Sequence, residues 1–167
     1  MPTAEKIIDV RAGESTLADD LLAAGYENIS VLDVSQTAID MTRKRLGARS
    51  DLVEWGIADV LRAELPAKHY AVWHDRAVFH FLAGEADRAT CVRQVMSAVE
   101  SGGHVIMAAF GPQGPERCSG LNVVRYDERS LQHEFGSRFR PLEGTMELHQ
   151  TPVGTIQHFL YCCCKIE

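Results

Sequence analysis

An α/β fold with a mostly parallel sheet, helices on both faces and an antiparallel strand at one edge is what the 167-residue chain predicts. Three observations carry that expectation. Short apolar runs of strand length alternate with segments of helical periodicity through the first two thirds of the chain. Glycines close the first helices, and the last thirty residues read as two strands in succession. Alternating strands and helices force parallel pairing, whereas two successive strands form a hairpin that adds an antiparallel strand.

The first element is a buried strand over Ile7 to Val10. Ser15 to Ala24 follows as a helix, with Leu17, Leu21 and Leu22 on one side and Asp19 and Asp20 on the other, ended by Gly25. Ile29 to Leu32 is a second strand, leading directly into Asp33. Ser35 caps a helix that runs to Leu46, turns Ala38, Ile39, Met41 and Leu46 inward, and stops at Gly47. Leu52 to Ile57 and Tyr70 to His74 are the third and fourth strands, separated by a loop through Pro66. A third long helix spans Glu85 to Val99 and ends at Ser101-Gly102-Gly103, before an apolar fifth strand from His104 to Phe110. Gly111 to Gly120, rich in Pro and Gly, is longer than a simple turn and so is a candidate active-site loop. A short helix over Asp127 to Phe135 precedes strands at 138–149 and 155–165, joined through Pro152 and Gly154. No linker interrupts this order, so one domain over 1–167 is expected.

Composition narrows the functional classes. Hydrophobic residues are 46% and charged residues 24%, an ordinary globular balance. No run approaches the roughly 20 apolar residues of a membrane span, and the N-terminus lacks a secretory layout. A cytoplasmic setting is therefore expected. The net charge of −6 offers no basic face to nucleic acid. The one dense basic group, Arg43-Lys44-Arg45, belongs to the solvated side of a helix. Five cysteines, three of them adjacent at Cys162 to Cys164, fit neither a disulfide framework nor a metal site. They read as small buried hydrophobes in a reducing compartment.

In a sheet of this kind ligands bind beyond the carboxyl ends of the strands. That rule selects the loop Asp9 to Thr16, then Asp33, then Ala58-Asp59-Val60, then Trp73-His74-Asp75-Arg76. Asp33 stands twenty residues after Gly13, where a carboxylate accepts hydrogen bonds from both hydroxyls of a ribose. Asp59 lies where an adenine amino group would be held.

The stretches IIDVRAGESTLADDLLAAGYENISVLDVS, IADV, WHDRAVFHFL and SGGHVIMAAFGPQGPERCSG resemble the small bacterial class I S-adenosylmethionine-dependent methyltransferases over nearly the whole chain. That resemblance implies a Rossmann-like class I methyltransferase fold, a seven-stranded sheet in order 3-2-1-4-5-7-6 with strand 7 antiparallel. It implies S-adenosylmethionine as cofactor. Asp9 and the loop through Arg11 and Gly13 would lie against its methionine portion, and Asp33 would take the ribose. Val34, Ala58 and Val60 would hold the adenine ring, with Asp59 on its amino group, and His74 would sit near the methyl. His74 and Asp75 are the candidates for positioning or deprotonating the methyl acceptor. Arg76, His80, Arg117, Cys118 and Ser119 are candidate substrate contacts. The acceptor is a small molecule or a protein side chain.

Two departures from the family pattern matter. Arg11 stands where the family's D-V-G-x-G loop has its first glycine, at a point where the backbone approaches the ligand and needs positive φ. Arg11 either fills the methionine space or swings out and pairs with the cofactor carboxylate. Second, only six residues precede the first strand, whereas the subgroup carries a longer aromatic-rich segment over one sheet face. An open face suits a homodimer or a partner that supplies the cover. These departures support, as the alternative function, a degenerate member acting as an interaction module. A nicotinamide-dependent oxidoreductase is the third class, opposed by the missing G-x-G-x-x-G spacing.

Overall fold

The computed structural model describes residues 4–151 and 154–167. In chain order the elements are β1 (Ile7–Val10), α1 (Leu17–Ala23), β2 (Ile29–Asp33), α2 (Gln36–Leu46), β3 (Val53–Ile57), β4 (Tyr70–Arg76), α3 (Glu85–Ala98), β5 (Val99–Phe110), β6 (Arg117–Cys118), β7 (Leu121–Asn122), α4 (Glu128–Phe135), β8 (Phe139–Gln150) and β9 (Ile156–Ile166). Seven strands form one sheet in order β3-β2-β1-β4-β5-β9-β8. With the two-residue strands β6 and β7 set aside, this is the expected order, and β9 is antiparallel to both β5 and β8.

Neighbouring residues of one strand face opposite sides of a sheet, and the core divides accordingly. Leu32, Trp73, Val105 and Met107 pack with Cys91 and Val95 of α3 and with Leu131 and Phe135 of α4. Val31 and Ile29 pack on the other side with Ala18 of α1 and with Ile39 and Leu46 of α2. Helices thus lie on both faces, with Ile106 of β5 left 39% exposed. Among the described residues no helix is long and apolar enough to cross a membrane. Cys91, Cys162 and Cys164 are buried, and Cys118 and Cys163 are half-buried.

Several boundaries differ from the sequence reading for local reasons. A 3-10 helix over Gly47–Leu52 delays β3 to Val53. β4 continues two residues past His74 because His74, Asp75 and Arg76 keep pairing with Ile106, Met107 and Ala108. β5 begins at Val99, where it pairs with Tyr70, and its register shifts before His104 meets Val72. In α2 the inward residues are Ile39, Thr42 and Leu46, while Met41 is 49% exposed. In α1 Ala18 is sealed and the leucines are only half-buried. Arg43, Lys44 and Arg45 are exposed, and Arg45 ties the two helices together through Asp19 at 2.7 Å. The expected turn through Pro152 lies outside the described residues.

Candidate functional site

β1 is buried at all four positions and lies between β2 and β4, so its last residues reach the middle of the carboxyl edge. The chain then leaves the sheet through Arg11 at φ +52° and Gly13 at φ +54°. The left-handed conformation at position 11 costs a side-chain-bearing residue roughly 1 kcal/mol or more, which explains a glycine in the family pattern. The Arg11 N–H donates to the Leu32 carbonyl at 2.6 Å. Side chains hold the rest of the loop. Gly13 N–H donates to Asp33 Oδ2 at 2.8 Å, and the Thr42 hydroxyl donates to the Gly13 carbonyl at 3.1 Å. Asp33 Oδ1 accepts the Ser35 N–H at 2.7 Å, next to the Ser35 cap that opens α2. Each Asp33 oxygen therefore takes one backbone hydrogen bond and keeps a further lone pair.

Beside Asp33 lies a cleft of about 200 Å³ lined by Arg11, Leu32, Asp33, Val34, Ala58, Asp59, Val60, Val78 and Leu82. Asp33 and Asp59 are its two acids, and its walls are aliphatic. Val34 is exposed, and Asp59 Oδ1 accepts the Leu61 N–H at 3.0 Å. Small-molecule sites usually measure about 300–1,000 Å³. This one is smaller, and the Arg11 guanidinium, 4.9 Å from the Phe81 ring centroid, reaches over it. Sequence reasoning missed Thr42, Val78, Phe81 and Leu82. The inward face of α2 reveals Thr42 once helical phase is set by Ile39 and Leu46; the others lie within the WHDRAVFHFL stretch, beyond the strand end that the ligand rule selects.

Deeper in the sheet, Asp9 Oδ1 lies 2.7 Å from His74 Nδ1, with the two residues in direct register across β1 and β4. Asp9 is buried, and its Oδ2 has no partner among the described residues. Asp75 cannot share this place. It was assigned to the loop after the fourth strand, but β4 still includes it, so it faces the side opposite His74. It is 1% exposed, with Oδ1 accepting the Val78 N–H at 3.0 Å. Burial pushes its pKa up to about 7. It caps a turn inside the core.

His80 is likewise turned into the core. It is buried, stacked on Phe110 with centroids 4.3 Å apart, and its Nδ1 accepts the Phe110 N–H at 3.3 Å. Burial pushes its pKa down to about 4. Arg76 ends β4 exposed. Arg117, Cys118 and Ser119 belong to a strap over 111–126 that crosses the carboxyl end of β5. There Arg117 is exposed and donates to the Gly120 carbonyl at 2.8 Å, and Cys118 packs against Ala108, Phe110 and Phe159. The structure thus gathers Arg11, Asp33, Val34, Ala58, Asp59 and Val60 at one cleft and pairs Asp9 with His74. It does not bring Arg117 or Cys118 into that cleft.

Known proteins share this fold. A solved structure of an S-adenosylmethionine-dependent methyltransferase from Methanosarcina mazei superposes with a TM-score of 0.80 at 12% identity, over 99% of this chain and 94% of that one. Burkholderia thailandensis 1,6-didemethyltoxoflavin-N1-methyltransferase, solved with 1,6-didemethyltoxoflavin and S-adenosylhomocysteine, gives 0.76 at 16% identity, over 98% and 71%. A mouse eEF1A lysine and N-terminal methyltransferase is 26% identical over 129 residues, which are 77% of this chain. The chain spans only 18% of that relative's length. The family model described as a methyltransferase domain matches residues 8–107. That match runs from inside β1 to inside β5, the segments that build the cleft, and the chain belongs to the methyltransferase-domain family.

Proposed function

We propose that the chain moves the methyl group of S-adenosylmethionine onto a small molecule or a protein side chain, and that the cleft beside Asp33 holds the adenosine of that cofactor. The observation that carries the reading is the buried Asp33 carboxylate, fixed by the Gly13 and Ser35 N–H groups with lone pairs to spare for two ribose hydroxyls. The rest of the cleft fits the group. Val34, Ala58 and Val60 supply an apolar slot for a purine, and Asp59 offers acceptors for its amino group. Asp9, with one buried oxygen free of any donor, suits the ammonium of the methionine portion. Arg11 swings from Phe81 to admit that portion and meets its carboxylate.

When bound, the cofactor supplies a methyl on a positive sulfur, an electrophile that needs alignment more than activation. The protein's own work is to seat it in a narrow cleft and to leave one end open to the acceptor. His74 lies at that end, with Arg76 further along β4 and the strap carrying Arg117, Cys118 and Ser119 beside it. A second copy of the chain over the sheet face around Ile106, which is 39% exposed, belongs to this reading and is tested by sedimentation equilibrium.

Titration of S-adenosylhomocysteine into the natural chain and into Arg11→Gly tests the proposal. Micromolar binding is expected for the natural chain, and weaker binding for the variant, which loses the guanidinium that meets the cofactor's carboxylate. Absence of binding in both would overturn it.

A further inference from the structure

We infer that Asp9 and His74 act as one unit, in which Asp9 orients the ring and His74 Nε2 takes the proton of the methyl acceptor, making that acceptor an O–H or N–H compound. This rests on the methyl-transfer reading above. The contact is set by the backbone, because Asp9 and His74 are register partners on adjacent central strands, 2.7 Å apart at Oδ1 and Nδ1. A carboxylate offers only lone pairs, so the hydrogen between them belongs to Nδ1, and the neutral ring carries its lone pair on Nε2. Among the described residues that nitrogen makes no hydrogen bond, it is not among the sealed polar atoms, and it belongs to a side chain that is 20% exposed.

A histidine serving only to satisfy a buried acid would need no open second nitrogen. The groups around the ring are few. Asp9 faces it from β1, uncharged Ile106 is its partner on β5, and Arg76 follows on the same side of β4. Asp75 points to the other face, capping the turn at Val78. Asp9, in contact at Nδ1, therefore sets the ring's tautomer.

In the transfer, the acceptor gives its proton to Nε2 as its lone pair bonds to the methyl carbon, with the carbon–sulfur bond breaking and its electron pair left on a neutral sulfur. The imidazolium then releases the proton to water along its exposed edge. A base of this kind suits an alcohol, a phenol or a protonated amine, each of which holds its proton near neutral pH. A carboxylate has none to give. His74 is the catalytic residue here and Asp9 a positioning residue.

Nitrogen-15 NMR of the histidine rings at about pH 8, where a free imidazole is neutral, reads the unit before any ligand is added. His74→Gln identifies the signal. The expected spectrum has the proton on Nδ1, and Asp9→Asn, whose amide donates, moves it to Nε2. A proton on Nε2 in the natural chain, or no change in Asp9→Asn, overturns the orientation. Titration with S-adenosylhomocysteine separates the two readings. Equal binding by the natural chain and His74→Gln, with radiolabelled methyl transfer to phenol about 10²-fold slower in the variant and none to benzoate, supports the base. Equal transfer in both chains, or binding without transfer to phenol, overturns it. Failure of the natural chain to bind overturns methyl transfer and the base together, while the ring tautomer still decides whether Asp9 orients His74.

Discussion

The loop between β1 and α1 and the strap between β5 and α4 both cross the carboxyl edge of the sheet, and they are fastened by different means. Beyond the Arg11 N–H bond to the Leu32 carbonyl, side chains hold the first: Asp33 accepts the Gly13 N–H and Thr42 donates to the Gly13 carbonyl. Backbone bonds hold the second, from Gly111 N–H to the His158 carbonyl, Val124 N–H to the His80 carbonyl and Tyr126 N–H to the Phe110 carbonyl. A loop pinned by side chains depends on the identity of those side chains. One pinned through its backbone keeps its course while its side chains vary. The first arrangement suits a ligand that stays the same from relative to relative, and the second suits an acceptor that changes.

Substitutions should separate the two regions sharply. The largest effect is expected for Asp33→Ala, which removes both the pin on Gly13 and the ribose acceptors. With hydrogen bonds to a charged group contributing about 1.5–3 kcal/mol each, S-adenosylhomocysteine affinity should fall at least about 10²-fold, read by calorimetry. Retained affinity would show that Asp33 serves the loop alone.

Between the two regions, Asp75 and His80 titrate in opposite senses. As pH rises from about 4 to 7, the unfolded chain gives up the Asp75 proton while the native carboxyl, raised by burial to about 7, keeps it, so this contribution to stability declines. As pH falls from about 6.5 to 4, the unfolded chain takes up a His80 proton that the native ring, lowered by burial to about 4, refuses, and stability again declines. The two nearly offset across that window. Asp75→Asn, which keeps an acceptor for the Val78 N–H, should expose the His80 slope. Its melting temperature should climb between pH 4 and 6.5, on the order of 2 kcal/mol of stability. The same flat profile in both chains would contradict this.

A smaller effect is expected from Thr42→Val, which loses a hydrogen bond of about 1 kcal/mol. Its S-adenosylhomocysteine affinity should drop severalfold. An unchanged value would mean that Asp33 alone holds the loop. The smallest belongs to Arg117→Ala on the strap, where stability should move by less than about 0.5 kcal/mol and cofactor affinity should not move at all. A change in acceptor turnover alone would assign the strap to the acceptor.

The same contrast marks what could be read from the sequence. The Ser35 cap, the Gly47 stop and the short helix opened by Asp127 rest on local signals, the strand order on the family resemblance, and the structure carries each of them. The cleft was legible because its acids follow directly on strands and its loops are short. Asp75 was misplaced because the end of β4 depends on pairing with Met107 of β5, which no local pattern in 70–76 reveals. His80 was misjudged because its burial comes from Phe110 and Phe159, residues distant in the chain. The strap's course depends on backbone bonds to three separate elements, so its composition announced a loop and nothing more.

A crystal structure of the chain grown with S-adenosylhomocysteine tests the central claim most directly. The account expects the ribose hydroxyls on Asp33, the adenine between Val34 and Val60, and Arg11 displaced from Phe81. Ligand bound elsewhere, or Arg11 still over Phe81 with the ribose away from Asp33, would contradict it.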